Sequence, residues 1–183
     1  TSVSGNRIQS QYLQDINSTF VGTLRGILMT NPIGQIPTGE VVTNNKISNL
    51  ILSAASSATA TNVLSGIQHI GLGANPREYS SNRIDTIYVR KNADANPLYN
   101  SVVTGIHNAS GGSSLSIFKN KISHLIPFAS TNATIARGIW IASGATLTST
   151  FHNNMIDLDM TQAFDLANAL SLVGSDAIRG FDI

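Results

Sequence analysis

The sequence predicts an all-β chain wound as a right-handed parallel β-helix, a solenoid of about five coils, and three recurring columns predict it. The first is an Asn phrase: Asn6-Arg7-Ile8, Asn45-Lys46-Ile47, Asn82-Arg83-Ile84, Asn120-Lys121-Ile122 and, in weaker form, Asn154-Met155-Ile156. Successive Asn residues lie 39, 37, 38 and 34 residues apart, a spacing too regular for chance. The second column is a glycine followed by an apolar residue: Gly26-Ile27, Gly66-Ile67, Gly105-Ile106, Gly138-Ile139 and Gly180-Phe181. The third stands three residues before each Asn, where Val3, Val42, Tyr79, Ile117 and Phe151 are all apolar, as an inward-facing position demands.

Short Ile/Val/Leu runs separated by Asn, Gly, Ser or Pro read as strands. No Asn-Gly or Asp-Gly pair joins them, which counts against antiparallel hairpins. Repeats of one length instead stack in register, like residue on like, about 4.8 Å per layer. Parallel strands of a single chain connect in a right-handed sense. An Asn at each bend tolerates the left-handed backbone and hydrogen-bonds to the Asn one coil on, so the column satisfies its own amides.

Taken in order, residues 1–38 form the first coil, with Val3, Ile8 and Leu13 alternating toward the interior and Val21 and Leu24 leading into Gly26. Residues 39–76 repeat the plan with Val42, Ile47, Leu50 and Leu52, and 77–114 with Tyr79, Ile84, Ile87 and Val89. The fourth coil, 115–148, is the most compact, and the fifth, 149–183, begins on Phe151, Ile156 and Leu158. Between Thr161 and Val173, Ala163, Leu166, Ala167, Leu170 and Val173 recur at helical spacing ahead of Gly174, which predicts a short helix inserted in a loop near 161–173.

Composition bounds the functions. The 183 residues suffice for one domain with a sizeable core. Charged residues are 11%, while Ser, Thr and Asn make up roughly a third, so the surface is hydroxyl- and amide-rich rather than ionic. A net charge of +1 gives no bulk electrostatic case for nucleic acid or anionic membranes. No run approaches the ~18 apolar residues of a membrane span, and the absence of cysteine removes disulfides and thiolate metal sites. The chain opens on one strand phrase and stops on another, Arg179 to Ile183, the pattern expected of a piece cut from a longer protein.

The phrases Gly138-Ile139-Trp140-Ile141 and Asn154-Met155-Ile156 resemble those of the right-handed β-helix proteins of the pectate-lyase-like superfamily. The resemblance covers nearly all of the chain. It implies the fold and leaves function open, because that superfamily includes polysaccharide lyases and hydrolases, phage tailspikes and noncatalytic surface proteins.

Three constellations carry the chemistry. If the Ile after each Asn faces inward, the residue between them faces out, which makes a ladder of Arg7, Lys46, Arg83 and Lys121. It reads either as a stripe tracking an acidic polymer or as a solvated face. Repulsion between neighbours is about 1 kcal/mol before screening, and one buried Ile returns roughly 1.5–3 kcal/mol, so the fold tolerates the ladder without a ligand. Asp85 and Asp157, on the same face, are expected to neutralise it in part.

Two residues after each repeat glycine, Leu28, Gln68, His107, Trp140 and Asp182 form a second outward column. An aromatic face beside amide and imidazole donors suits a sugar. The alternative is a mixed strand column with Trp140 packed under a loop.

For glycosidase chemistry, Asp85 and Asp157 share a column with Ser123 between them, about 9.6 Å apart by strand spacing, the outer limit for an inverting pair. Asp159 is near in sequence. These are weak candidates, since the superfamily's tighter clusters of Asp with His-Gly and Arg-Ile-Lys phrases have no counterpart here. His69, His107, His124 and His152 fall in different columns, which predicts no multi-His metal site and no cofactor.

The leading expectation is a noncatalytic structural and adhesive module of a secreted or cell-surface protein, binding glycans or partner proteins on its outer sheet. Further coils of the parent chain or a neighbouring subunit would continue the stack. The alternatives are a polysaccharide lyase or glycoside hydrolase working in a groove along the helix, and a self-stacking fibre subunit.

Overall fold

The computed structural model describes residues 2–14, 23–30, 39–54, 61–70, 75–91, 100–109, 114–126, 135–141, 148–158 and 178–182. Among them every regular element is a strand. The first repeat supplies β1 (Ser2–Ser4), β2 (Arg7–Gln14) and β3 (Thr23–Met29). The second supplies β4 (Glu40–Thr43), β5 (Lys46–Ala54) and β6 (Thr61–His69). The third has β7 (Arg77–Ser80), β8 (Arg83–Lys91) and β9 (Asn100–Asn108), and the fourth β10 (Ser114–Phe118), β11 (Lys121–Ile126) and β12 (Ile135–Ile141). Strands β13 (Thr148–His152), β14 (Met155–Asp157) and β15 (Ile178–Asp182) make the fifth. The helix expected near 161–173 lies outside the described residues.

Three five-stranded sheets result, β1-β4-β7-β10-β13, β2-β5-β8-β11-β14 and β3-β6-β9-β12-β15, each strand pairing with its counterpart one repeat away. Every pairing is parallel, and the arrangement is compatible with a parallel β-solenoid. The register stacks Ile8 on Ile47 on Ile84 on Ile122 on Ile156, and Val3 on Val42 on Tyr79 on Ile117 on Phe151, as the columns predict. In the three middle layers Ile47, Ile84 and Ile122 are fully buried beside Leu64, Val103 and Ala136 from the third sheet. Val3, Ile8, Phe151 and Ile156, in the outermost layers, are only partly covered.

The Asn column is a continuous hydrogen-bonded ladder. Asn6, Asn45, Asn82 and Asn120 each donate from Nδ2 to the Oδ1 of the next Asn, at 3.0 Å in every layer. Each backbone N–H donates to the same oxygen at 3.0–3.1 Å. The second Nδ2 proton of Asn45, Asn82, Asn120 and Asn154 goes to the carbonyl of Val3, Val42, Tyr79 and Ile117 in turn. The left-handed residue, however, is the one before each ladder Asn: Gly5 (φ 68°), Asn44 (56°), Ser81 (55°), Lys119 (57°) and Asn153 (56°). That residue makes the turn, and the ladder Asn behind it is left to span the layers.

A second left-handed column, Ser10, Asn49, Thr86 and His124, lies inside the second sheet, where the pairing skips from Gln9–Ser48 to Gln11–Leu50. This bulge lets Ile47 and Leu50, three residues apart, both point inward, since a plain strand alternates faces. In the third sheet the glycine column is skipped in the same way, between Ser65–Thr104 and Ile67–Ile106. There the absent side chain is essential. A Cβ on Gly105 would lie 2.6 Å from the Gly138 carbonyl oxygen and 2.7 Å from Ile122 Cγ2. Gly26, Gly66 and Gly138 receive Ile47, Ile84 and Ile156 in the same manner. The two sequence phrases are therefore the two halves of one contact: the Ile of each layer fills the notch at the glycine of the layer before it.

Candidate functional site

On the second sheet, the backbone register places Arg7, Lys46, Arg83 and Lys121 in one column, ending at Met155. All five side chains are exposed, because the Ile that follows each of them takes the inward position. Among the described residues no carboxylate lies within ion-pair distance of the four cations. Arg7 Nε donates to Gln9 Oε1 at 2.9 Å. Lys119, exposed at the corner two residues before Lys121, adds a fifth positive charge beside the column.

The next outward column holds Gln9, Ser48, Asp85, Ser123 and Asp157, so Asp85 and Asp157 do share a column with Ser123 between them. Asp85 nevertheless does not pair with the ladder. Its Oδ1 accepts from Ser123 Oγ at 2.9 Å and lies 2.7 Å from His124 Nδ1. Partial burial works to raise its pKa. The hydrogen bonds from His124 and Ser123, with the charges of His124 and Arg83, outweigh that and hold the carboxyl below its ordinary value. A general acid needs the opposite shift. Asp157 is exposed, and Asp159 lies outside the described residues.

On the third sheet the register lines up Leu28, Gln68, His107, Trp140 and Asp182. The Asp182 side chain lies outside the described residues. Leu28 is exposed, but Gln68 and His107 are buried, so the column is not the open row of donors that the sequence suggests. The imidazole of His107 stacks on Trp140, with ring centroids 3.9 Å apart and planes 7° apart. The Arg137 guanidinium sits over the same indole, 4.1 Å from its centroid. Both groups crowd the indole, so a pyranose stacking on Trp140 would compete with His107 and Arg137 for its ring. Gln68 Nε2 lies 2.9 Å from His107 Nδ1, and Arg25 Nε donates to Gln68 Oε1. Burial, then the Arg137 and Arg25 charges, lower the His107 pKa to about 4.

Where the end of the third sheet meets the start of the first, a buried ionic cluster was not legible in sequence. Arg77 Nε lies 2.9 Å from Glu40 Oε2, and His69 Nε2 is 3.3 Å from the same oxygen. Arg77 also donates from a terminal nitrogen to Asn108 Oδ1 at 3.2 Å. The Tyr79 hydroxyl lies 3.0 Å from His69 Nδ1 and 3.3 Å from Asn108 Oδ1. The single hydroxyl proton of Tyr79 goes to Asn108 Oδ1, which leaves its oxygen to accept from His69 Nδ1–H. Burial, then Arg77, lower the His69 pKa to about 4 against the pull of Glu40. Burial likewise raises that of Tyr79. The available signal was positional: His69 and Asn108 interrupt a column whose other members, Met29 and Ile141, are apolar. All five groups are closed to solvent, so the cluster ties layers together rather than meeting a substrate.

The four histidines occupy four different columns. Among the described residues no three His, Asp or Glu side chains come together as a metal ion requires, and no helix is long and apolar enough to cross a membrane. No family model, no curated protein and no solved structure matches the chain.

Proposed function

We propose that the chain is a stretch of right-handed parallel β-helix, of the kind found in the pectate-lyase-like superfamily, serving as a noncatalytic structural module of a secreted or cell-surface protein. It acts as a stiff spacer and offers its outer sheets to glycans or partner proteins. The observation that carries this reading is the unbroken Asn ladder, whose side chains and backbone N–H groups are spent on one another through all five layers. Support comes from Asp85, which is committed to Ser123 and His124 and held in the state that cannot donate a proton.

The test is an assay for new reducing ends and unsaturated products across neutral and acidic polysaccharides. Silence on all of them is the expected result, and turnover of any one would overturn the reading in favour of a lyase or hydrolase.

A further inference from the structure

We propose that the cation ladder Arg7–Lys46–Arg83–Lys121, with Lys119 at its flank, is a track for a single chain of a linear acidic polysaccharide. The inference rests on the glycan-binding part of the proposed function and assigns it a place and a ligand class.

The strand geometry does not require these cations. Met155 occupies the same column in the fifth layer, so any exposed residue serves the fold there. Four like charges at successive layers repel one another, and the nearest acid, Asp85, offsets this only in part, through its attraction to Arg83. Asp85 directs its hydrogen bonds to Ser123 and His124, so Arg83 feels its charge without a direct ion pair. An anion seated along the column relieves all four rungs at once.

The flanks say which polyanion fits. On one side stands the exposed Gln9, beyond which Ser48 and Ser123 are buried and Ser123 is bonded to Asp85, and on the other the exposed Asn44, Ser81 and Asn153. The open amides and hydroxyl are partners of sugar hydroxyl groups. The two flanking columns themselves hold no aromatic ring, and the rings near by are already engaged, His124 with Asp85 and Phe118 with His152, whereas single-stranded nucleic acid is held by stacking on open rings. The positive strip is one residue wide, with Asp85 and Asp157 in the neighbouring column. A duplex broad enough to cover both columns would meet those carboxylates, and a thin chain lying on the ladder would not. Carboxylated and sulfated polymers share this chemistry.

The experiment measures binding of the full 183-residue chain to polygalacturonate, heparin, a neutral dextran and duplex DNA over a range of salt. The wild type should bind polygalacturonate, heparin or both, more tightly than DNA and without measurable affinity for dextran. The polymer bound identifies the anionic group. The triple variant Lys46→Gln, Arg83→Gln, Lys121→Gln should lose roughly tenfold or more in affinity at low salt, with a salt dependence shallower by up to about one for each cation removed. Met155→Lys should add a rung and tighten binding. Far-UV circular dichroism of each variant confirms folding, which these exposed positions leave unchanged.

Equal affinity of wild type and triple variant, silence with both acidic polymers, or DNA bound as tightly as either would overturn the track. Binding to neutral glycans or to protein with the acidic probes silent would end this inference and leave the structural module standing. Release of products from polygalacturonate would end the noncatalytic reading and leave the ladder as a binding track.

Discussion

Asn82 shows how much one side chain can hold when it is shared between layers. Its Oδ1 accepts from both the backbone N–H and Nδ2 of Asn45, and its own Nδ2 reaches Asn120 Oδ1 and the Val42 carbonyl. Asn82→Ala strands these buried groups, each at about 1–3 kcal/mol, so a loss of at least ~3 kcal/mol is expected in chemical denaturation. Asn6→Ala, at the exposed end of the ladder, should cost under about 1 kcal/mol by the same measurement. Near-equal losses at the two sites would mean that the ladder contributes little. The sequence announced this column through its spacing, yet it could not say which residue bears the left-handed turn. Gly5, Asn44, Ser81, Lys119 and Asn153 share that backbone and no side-chain chemistry, as do Ser10, Asn49, Thr86 and His124. Glycine was legible as a column, but its reason was not. The Gly105 notch exists only because Ile122 stands in it, a contact between two strands of different sheets. Gly105→Ala should therefore destabilise by about 1–3 kcal/mol through overpacking. Gly180→Ala, with open space around it, should be close to neutral by the same chemical denaturation.

At the level of the element, the register of all three sheets follows from the columns, because one repeated spacing of inward residues can be satisfied by one alignment. The polar insert at the join of the third and first sheets breaks that logic. Glu40 lies 37 residues from Arg77, and Arg77 31 from Asn108, so no local pattern couples them. The buried histidines on this sheet give it a pH signature. His69 faces Glu40, Arg77 and Tyr79, while His107 faces Gln68, Trp140, Arg137 and Arg25. Both have pKa values lowered from 6.5 to about 4, so the folded chain keeps them neutral where the unfolded chain protonates. Unfolding then takes up protons between pH 6.5 and about 4. The stability present above pH 6.5 is lost as pH falls through that window, with a slope of up to roughly 2.7 kcal/mol per pH unit for two histidines. Denaturation midpoints measured across this range should fall accordingly. His107→Gln should remove about half of the slope, and a flat profile in the wild type would show that neither imidazole is held neutral.

For the whole molecule, each layer touches only the layers above and below it, so stability is the sum of layer terms and interface terms rather than of one global core. A middle layer has two interfaces and an outer layer has one. Ile84, fully buried between Ile47 and Ile122, should lose about 2–5 kcal/mol as Ile84→Ala. Ile8, partly covered and stacked on Ile47 alone, should lose about half as much as Ile8→Ala. Amide exchange should grade in the same order. The slowest protons are expected in β5, β8 and β11, the fastest in β1, β14 and β15, because opening an outer layer breaks one interface and opening a middle one breaks two. Losses independent of layer, with exchange uniform from β1 to β15, would mean that the stack opens as one unit. The graded outcome bears on the ladder of cations. Lys46, Arg83 and Lys121 stand on the three most protected layers, so a polymer lying along them would meet rungs held at fixed spacing, while Arg7 stands on a layer free to fray.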